Sequence, residues 1–171
     1  TRPDTEPPID TPEILEFFQR RAKVATKVRI LPTATITKNI DGKELSEMTF
    51  LAEQGAIGFT DAFNQISDTK LFLQALQYVS DLEMIFIGHP QDYSMSKNAS
   101  ATSGKFSSLK GLPSVDSIAE RIGIDRDLTL VEATNSKYHA DQITTALSLE
   151  SIKKAKSKDL KVTAGTSIHH L

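Results

Sequence analysis

The sequence contains no cysteine, which excludes disulfide bonds, thiolate zinc sites and a cysteine nucleophile. A metal ion would therefore have to bind histidine, aspartate or glutamate side chains. The chain also lacks any apolar run that approaches the roughly 18 residues of a membrane-spanning helix. No charged and then apolar signal segment opens it. We therefore expect no membrane partner and, as the default, a cytoplasmic location.

An excess of basic charge is also lacking, since the formal net charge is −2. This balance gives no reason to expect a nucleic acid partner. The 171 residues are 39% hydrophobic and 25% charged, which is ordinary for one globular domain. The chain begins with Thr1 rather than methionine, and we expect residues 1–171 to be one domain segment of a longer protein.

Helix-like and strand-like segments alternate along the chain. Apolar residues at helical spacing predict helices over residues 12–26, 45–51, 69–80, 114–131 and 148–156. Runs rich in β-branched residues predict strands over residues 28–36, 55–61, 84–89, 137–143 and 161–167. This alternation indicates βαβ units with a parallel sheet, either open and doubly wound or part of an eight-stranded (β/α)₈ barrel. No glycine-rich phosphate loop follows the first strand, which disfavours a nucleotide-binding open sheet.

Residues 90–113 interrupt this alternation with a stretch rich in serine, lysine, asparagine and glycine. The stretch is too long for a simple connector. We expect it to be either a functional flap, in the form of a long loop on the active-site face, or a disordered stretch.

Two of the apolar runs end on side chains that bind metals, Asp61 and His89. The carboxyl ends of parallel strands are where α/β folds bind ligands, and a carboxylate with an imidazole suits zinc, manganese or iron. The alternative is structural, because an aspartate at a strand end is often a cap or turn residue. A third run ends on Gln142, which is a poor ligand. On the same run, strand alternation places His139 on the face opposite Tyr138 and Gln142.

Several motifs, in their order and spacing, resemble those of dihydroorotases, which are cyclic amidohydrolases of pyrimidine biosynthesis. The resemblance covers nearly the whole chain. Among the matching stretches are Leu-Pro-Thr-Ala-Thr-Ile-Thr at 31–37, Ile-Gly-His-Pro-Gln-Asp at 87–92 and Val-Thr-Ala-Gly at 162–165. The others are residues 2–7, 42–48, 55–61 and 169–171.

The resemblance implies a (β/α)₈ barrel of metal-dependent hydrolase type, of which this chain would be the central part with about five β/α units. It also implies a binuclear zinc site whose bridging hydroxide opens the ring of dihydroorotate to give N-carbamoyl-aspartate. Asp61 matches the bridging carboxylate and His89 a metal-binding imidazole. The family's first two histidines and its catalytic aspartate lie on strands outside this chain.

The sequence departs from the family pattern at functional positions. Gln142 stands where the family has a metal-binding histidine, and Asp4 stands where it has a substrate-contacting asparagine. A carboxylate at position 4 is expected to repel the carboxylate of the substrate. The remaining departures are Ala62 and Phe63 for Asp-Gly, Pro90 and Gln91 for Cys-Glu, and Gly165 for glutamate.

Three interpretations remain open on the sequence. The first is a cyclic amidohydrolase impaired by the loss of a ligand. The second is a noncatalytic homologue that serves as a scaffold for aspartate transcarbamoylase, and the third is an α/β domain without a site. We expect a homo-oligomer or a complex with aspartate transcarbamoylase. The isolated segment is predicted to be inactive, because five barrel strands leave two open sheet edges.

Overall fold

Helices and parallel strands alternate in the structure, a computed structural model that describes residues 1–170. The helices are α1 (Pro12–Ala25), α2 (Met48–Glu53), α3 (Thr69–Asp81), α4 (Tyr93–Ser96), α5 (Lys105–Lys110), α6 (Ile118–Thr134) and α7 (Ala146–Ser157). The strands are β1 (Ile85–Gly88), β2 (Ala101–Thr102), β3 (Ser114–Val115), β4 (Lys137–Ala140) and β5 (Val162–Ala164). Short 3₁₀ helices cover Lys38–Ile40 and Ile168–His170.

Five chain segments lie side by side in parallel and follow one another in chain order. Strands β1, β4 and β5 form a parallel sheet in that order. Single parallel bridges from Ala34 to Phe59 and from Phe59 to Phe86 add two further segments beside β1. Consecutive parallel segments with helices between them are the arrangement of a (β/α) barrel. The expected fold class and the expected number of about five units are both confirmed.

The first two of these segments are much shorter than the strands predicted over residues 28–36 and 55–61. They form single-residue bridges at Ala34 and Phe59 rather than extended ladders. Pro32 has no N–H group to donate, although its carbonyl oxygen accepts from the amide of Ile57 at 2.9 Å. The strands predicted from the sequence therefore have the right positions but are too long.

One face of the sheet is covered by helices α3 and α6. The rings of Phe86 and Tyr138 point to this face, are buried, and stack with their centroids 5.9 Å apart. Phe72 of α3 packs on Phe86 with a centroid distance of 4.9 Å. Burying each large apolar side chain contributes about 1.5–3 kcal/mol. On the opposite face Ile87 and His139 are only half-buried, as strand alternation predicts for a face turned toward the interior of a barrel.

Helix boundaries follow local signals in most places. Pro12 occupies the first turn of α1, and the carboxylate of Asp68 caps α3 by accepting from the amides of Lys70 and Leu71. The prediction that the long helix begins at Ser114 was wrong. Ser114–Val115 form strand β3, and α6 begins at Ile118. The carboxylate of Asp116, which accepts from the amide of Ile118 at 2.9 Å, marks the true start.

The segment 90–113 has secondary structure of its own. It contains α4, α5 and β2, and β2 pairs in parallel with β3. The amide of Asp92 donates to the carbonyl of Ala119 at 2.9 Å, which ties the segment to α6. The segment therefore contains helices and a strand of its own, and its role as a functional flap on the active-site face stays a prediction. No helix within residues 1–170 is long and apolar enough to cross a membrane.

Candidate functional site

Asp61 and His89 line the same small cleft at the carboxyl ends of two neighbouring segments. Gly88, Arg126 and Asp127 also line it. The cavity has a volume of about 20 Å³, which is enough for one water molecule. Both side chains lie at the ends of neighbouring parallel segments, as predicted, and their role as metal ligands stays a prediction.

The Asp61 carboxylate is buried and fully engaged by the neighbouring segment. Oδ1 accepts from the amides of Ile36 at 2.8 Å and Thr37 at 3.0 Å, and Oδ2 accepts from the Thr37 hydroxyl at 2.5 Å. Burial raises the pKa of Asp61 from 3.8 to about 6, against the opposing effect of these hydrogen bonds. These hydrogen bonds connect residues 36–37 to the end of the segment that carries Asp61.

The His89 imidazole has one nitrogen without a partner. Its Nδ1 atom is buried and makes no hydrogen bond. The ring meets Phe63 edge to face, with centroids 5.5 Å apart and an interplanar angle of 79°. An unpaired buried nitrogen is costly, so this atom is suited to a partner beyond the described residues.

Gln142 lies apart from the residues that line the cleft. Strand β4 ends at Ala140, and Gln142 has a φ of 57°, in the left-handed region. The expected strand over residues 137–143 is therefore shorter, and regular alternation does not extend to Gln142. Within the strand the expectation holds, because Tyr138 is buried while His139 lies on the other face with Nδ1 2.7 Å from the Thr163 hydroxyl.

The loop that follows Gln142 is held by Glu120 of α6. Its carboxylate accepts from the amides of Thr144 at 2.9 Å and Thr145 at 3.0 Å. It also accepts from both hydroxyls, at 2.5 and 2.8 Å. Burial raises the pKa of Glu120, but hydrogen bonds from Ser148, Thr144 and Thr145 outweigh it and hold the pKa below its ordinary value. Sequence reasoning missed this contact, because 24 residues separate Glu120 from Thr144.

A buried ionic network beside the cleft was also missed. The Asp127 carboxylate accepts from the Tyr138 hydroxyl at 2.6 Å and from the Arg126 guanidinium at 2.8 and 3.0 Å. Arg126 also donates to the carbonyl of Ile66 at 3.0 Å, and the Tyr138 hydroxyl packs on Gly88. Burial raises the pKa of Asp127 and raises that of Tyr138 well above its ordinary value. The adjacent Arg-Asp pair on α6 was the only sequence signal.

Asp4, which the family resemblance places at a substrate-contacting position, forms an ion pair with Arg2. The guanidinium donates to both carboxylate oxygens, at 3.0 and 3.3 Å, and its carbon lies 3.6 Å above the centroid of Phe63. The pairing neutralises the charge on Asp4. The expected repulsion of a substrate carboxylate by Asp4 is correspondingly weakened.

The donor set in this chain does not fit the binuclear zinc site that the resemblance implies. No group of three or more His, Cys, Asp or Glu side chains within residues 1–170 is arranged to hold a metal ion. Both oxygens of Asp61 are engaged by Ile36 and Thr37, and Gln142 offers only a neutral amide oxygen. The Nδ1 atom of His89 is buried and unpaired. The assignment of Asp61, His89 and Gln142 to ligand positions stays a prediction.

The parallel β/α units, in chain order, form part of a (β/α) barrel, and solved structures share this arrangement. The L-hydantoinase (dihydropyrimidinase) of Arthrobacter aurescens superposes with a TM-score of 0.79 at 16% identity, over 97% of this chain and 38% of that chain. A D-hydantoinase structure superposes with a TM-score of 0.70 at 16% identity, over 92% of this chain and 36% of that chain. At this level of identity the likeness concerns the fold alone.

The family follows from the sequence comparisons. The model of the dihydro-orotase-like family matches residues 1–169, and the chain belongs to this family. It is 36% identical to the dihydroorotase of Bacillus subtilis, over 99% of this chain and 40% of that protein. Identity to the dihydroorotase of Syntrophus aciditrophicus is 34%, over 98% of this chain and 39% of that protein. Identity to a dihydroorotase-like protein of Pseudomonas putida is 30%, over 99% of this chain and 40% of that protein. The chain thus spans about two fifths of the length of these relatives.

Proposed function

We propose that the full-length protein, of which this chain is the central part, is a dihydroorotase-like cyclic amidohydrolase with impaired activity. Its reaction would be the interconversion of dihydroorotate and N-carbamoyl-aspartate. The observation that carries the proposal is the meeting of Asp61 and His89 in one cleft at the carboxyl ends of parallel segments. Those are the two ligand positions that the chain retains, in a family of cyclic amidohydrolases.

The impairment follows from the donors that this chain supplies. Gln142 replaces an imidazole with a neutral amide oxygen, which is a weaker ligand for zinc. Asp61 would have to release Ile36 and Thr37 before its oxygens could bind a metal. Zinc binding by the full-length protein should therefore be weak.

The test combines metal analysis with dihydroorotate turnover in the full-length protein. We expect less than two zinc ions per chain, and a turnover that Asp61→Ala abolishes. Gln142→His should raise the zinc content towards two ions per chain and raise zinc affinity and turnover by about tenfold or more. Gln74→His, on the exposed side of α3, adds an imidazole elsewhere and should change neither. Full zinc occupancy in the unaltered protein, with turnover insensitive to Asp61→Ala, would contradict the proposal.

A second candidate function is a noncatalytic scaffold that associates with aspartate transcarbamoylase. The engagement of both Asp61 oxygens in structural hydrogen bonds favours it. On this proposal Gln142→His gains neither zinc nor turnover, and the full-length protein sediments as a complex when mixed with aspartate transcarbamoylase. Independent sedimentation of the two proteins would exclude the scaffold, at least with that partner.

A further inference from the structure

Residues from two distant parts of the sequence form a cluster at the imidazole of His89. Phe63 meets the His89 ring edge to face. The carbon of the Arg2 guanidinium lies over the Phe63 ring, 3.6 Å from its centroid. Asp4 accepts two hydrogen bonds from the same guanidinium. Aromatic pairs and guanidinium–aromatic stacks of this geometry are attractive, so the contacts form one connected cluster.

Hydrogen bonds to backbone carbonyls hold the segment that carries Arg2. The carbonyl oxygen of Thr1 accepts from the amide of Thr33 at 3.0 Å and from its hydroxyl at 2.6 Å. The carbonyl of Pro3 accepts from the amide of Ile9 at 3.0 Å. Arg2 therefore projects from a segment that is anchored on both sides.

Phe63 projects from a tight and strained turn. The amide of Asn64 donates to the carbonyl of Asp61 at 3.0 Å, and the amide of Ala62 donates to the Thr60 hydroxyl at 3.1 Å. Ala62 has a φ of 58°, a left-handed conformation that costs an alanine about 1 kcal/mol. Strain of this kind persists only where the surrounding structure fixes it. The turn therefore holds Phe63 in place above His89.

We propose that Phe63 and Arg2 form a cap over His89, kept closed by the Arg2–Asp4 ion pair, which limits access of small molecules to the imidazole. The cap is a device of the fold and does not depend on whether the full-length protein turns over dihydroorotate. Its outer parts remain exposed, with 53% of Phe63 accessible and the side chains of Arg2 and Asp4 accessible by 34% and 45%. Exposed ion pairs are weak, so the cap can open and close.

Carbethoxylation of histidines by diethyl pyrocarbonate tests the cap directly. The rate is measured for each histidine of the full-length protein by peptide mass spectrometry, at fixed pH, with His139 as the internal reference. Phe63→Ala should raise the rate at His89 about fivefold, the factor that a lost contact of about 1 kcal/mol produces. Arg2→Ala should act in the same direction, and Asp4→Asn should give a smaller rise. Phe63→Tyr retains the ring and should leave the rate unchanged.

Two controls match the exposure and chemistry of the altered residues. Phe106→Ala removes an exposed ring on α5, and Arg20→Ala breaks an exposed ion pair on α1. Neither should change the rate at His89. An unchanged rate at His89 in both Phe63→Ala and Arg2→Ala overturns the proposal. If Phe63→Ala accelerates His139 equally, that variant has lost structure, and Arg2→Ala and Asp4→Asn then decide the outcome.

Discussion

Thr37 donates two hydrogen bonds to Asp61, one from its backbone amide at 3.0 Å and one from its hydroxyl at 2.5 Å. The residue that the sequence marks as a metal-ligand position therefore has a structural task in this chain. A carboxylate at a strand end satisfies buried amides of the preceding segment, which would otherwise be unpaired. Whether Asp61 also binds a metal is a separate question that the variants above address.

Replacing Asp61 should be costly because of these amides. In Asp61→Ala the amides of Ile36 and Thr37 lose their acceptor, and each buried unpaired group costs about 1–3 kcal/mol. Asp61→Asn keeps an acceptor oxygen and should cost less. Urea unfolding of the full-length protein measures both, with Asp81→Asn at the exposed end of α3 as the control. Equal stability of Asp61→Ala and the unaltered protein would contradict the structural role.

The raised pKa of Asp61 predicts a pH dependence. Its pKa in the folded protein is about 6, above the ordinary value of 3.8, so the folded state binds the proton more tightly than the unfolded state. The stability that protonated Asp61 contributes is present below pH 4 and is lost as the pH rises through about 6. Between those limits the unaltered protein should lose roughly 3 kcal/mol relative to Asp61→Asn. A flat difference between the two proteins from pH 4 to 7 would exclude this ionisation.

Glu120 should show the opposite pH dependence. Hydrogen bonds outweigh burial and hold its pKa below the ordinary value of 4.5, so its contribution is present above that value and is lost as the pH falls through the folded-state pKa. In Glu120→Gln only one side-chain oxygen remains, so it cannot accept hydrogen bonds from the amides of both Thr144 and Thr145. The substitution should lower the free energy of unfolding by about 1–3 kcal/mol near neutral pH. The loss should shrink in acid. Glu132→Gln, which removes an exposed partner of Lys158, should have little effect at any pH.

Gly123 of α6 leaves room for the chain that follows His89. A Cβ atom at this position would lie 2.5 Å from the amide nitrogen of Gln91 and 2.7 Å from the carbonyl carbon of Pro90. Both are backbone atoms, so Gly123→Ala must displace the segment or the helix, at a cost of about 1–3 kcal/mol. Thermal unfolding measures the loss. Gly104→Ala, where no atom lies within 4 Å of the added Cβ, is the matched control and should be nearly neutral.

The Tyr138 hydroxyl should contribute more than an ordinary hydroxyl. Tyr138→Phe keeps the stacking on Phe86 and removes the 2.6 Å hydrogen bond to Asp127. Asp127 is almost completely buried, so the loss of this donor to its carboxylate should lower the free energy of unfolding by about 1–3 kcal/mol. Tyr78→Phe, whose hydroxyl meets Thr49 at 3.0 Å in a half-buried position, should cost less. A smaller effect for Tyr138→Phe than for Tyr78→Phe would argue against the network.

Local patterns predicted most of the elements. Helices α1 and α3 have the predicted position, because caps and apolar spacing act within a few residues. The five parallel segments were also predicted in order. Their lengths were not, because pairing depends on the partner strand as much as on the sequence of each segment.

For the candidate site, the sequence by itself placed Asp61 and His89 at the ends of neighbouring strands. That Gln142 stands in place of an imidazole is implied by the family resemblance and stays a prediction. The tertiary structure alone decided what these side chains contact. The bonds from Thr37 to Asp61 and the stack of Arg2 and Phe63 over His89 join residues 24 or more positions apart. Such contacts depend on how distant segments pack, and no local periodicity encodes them.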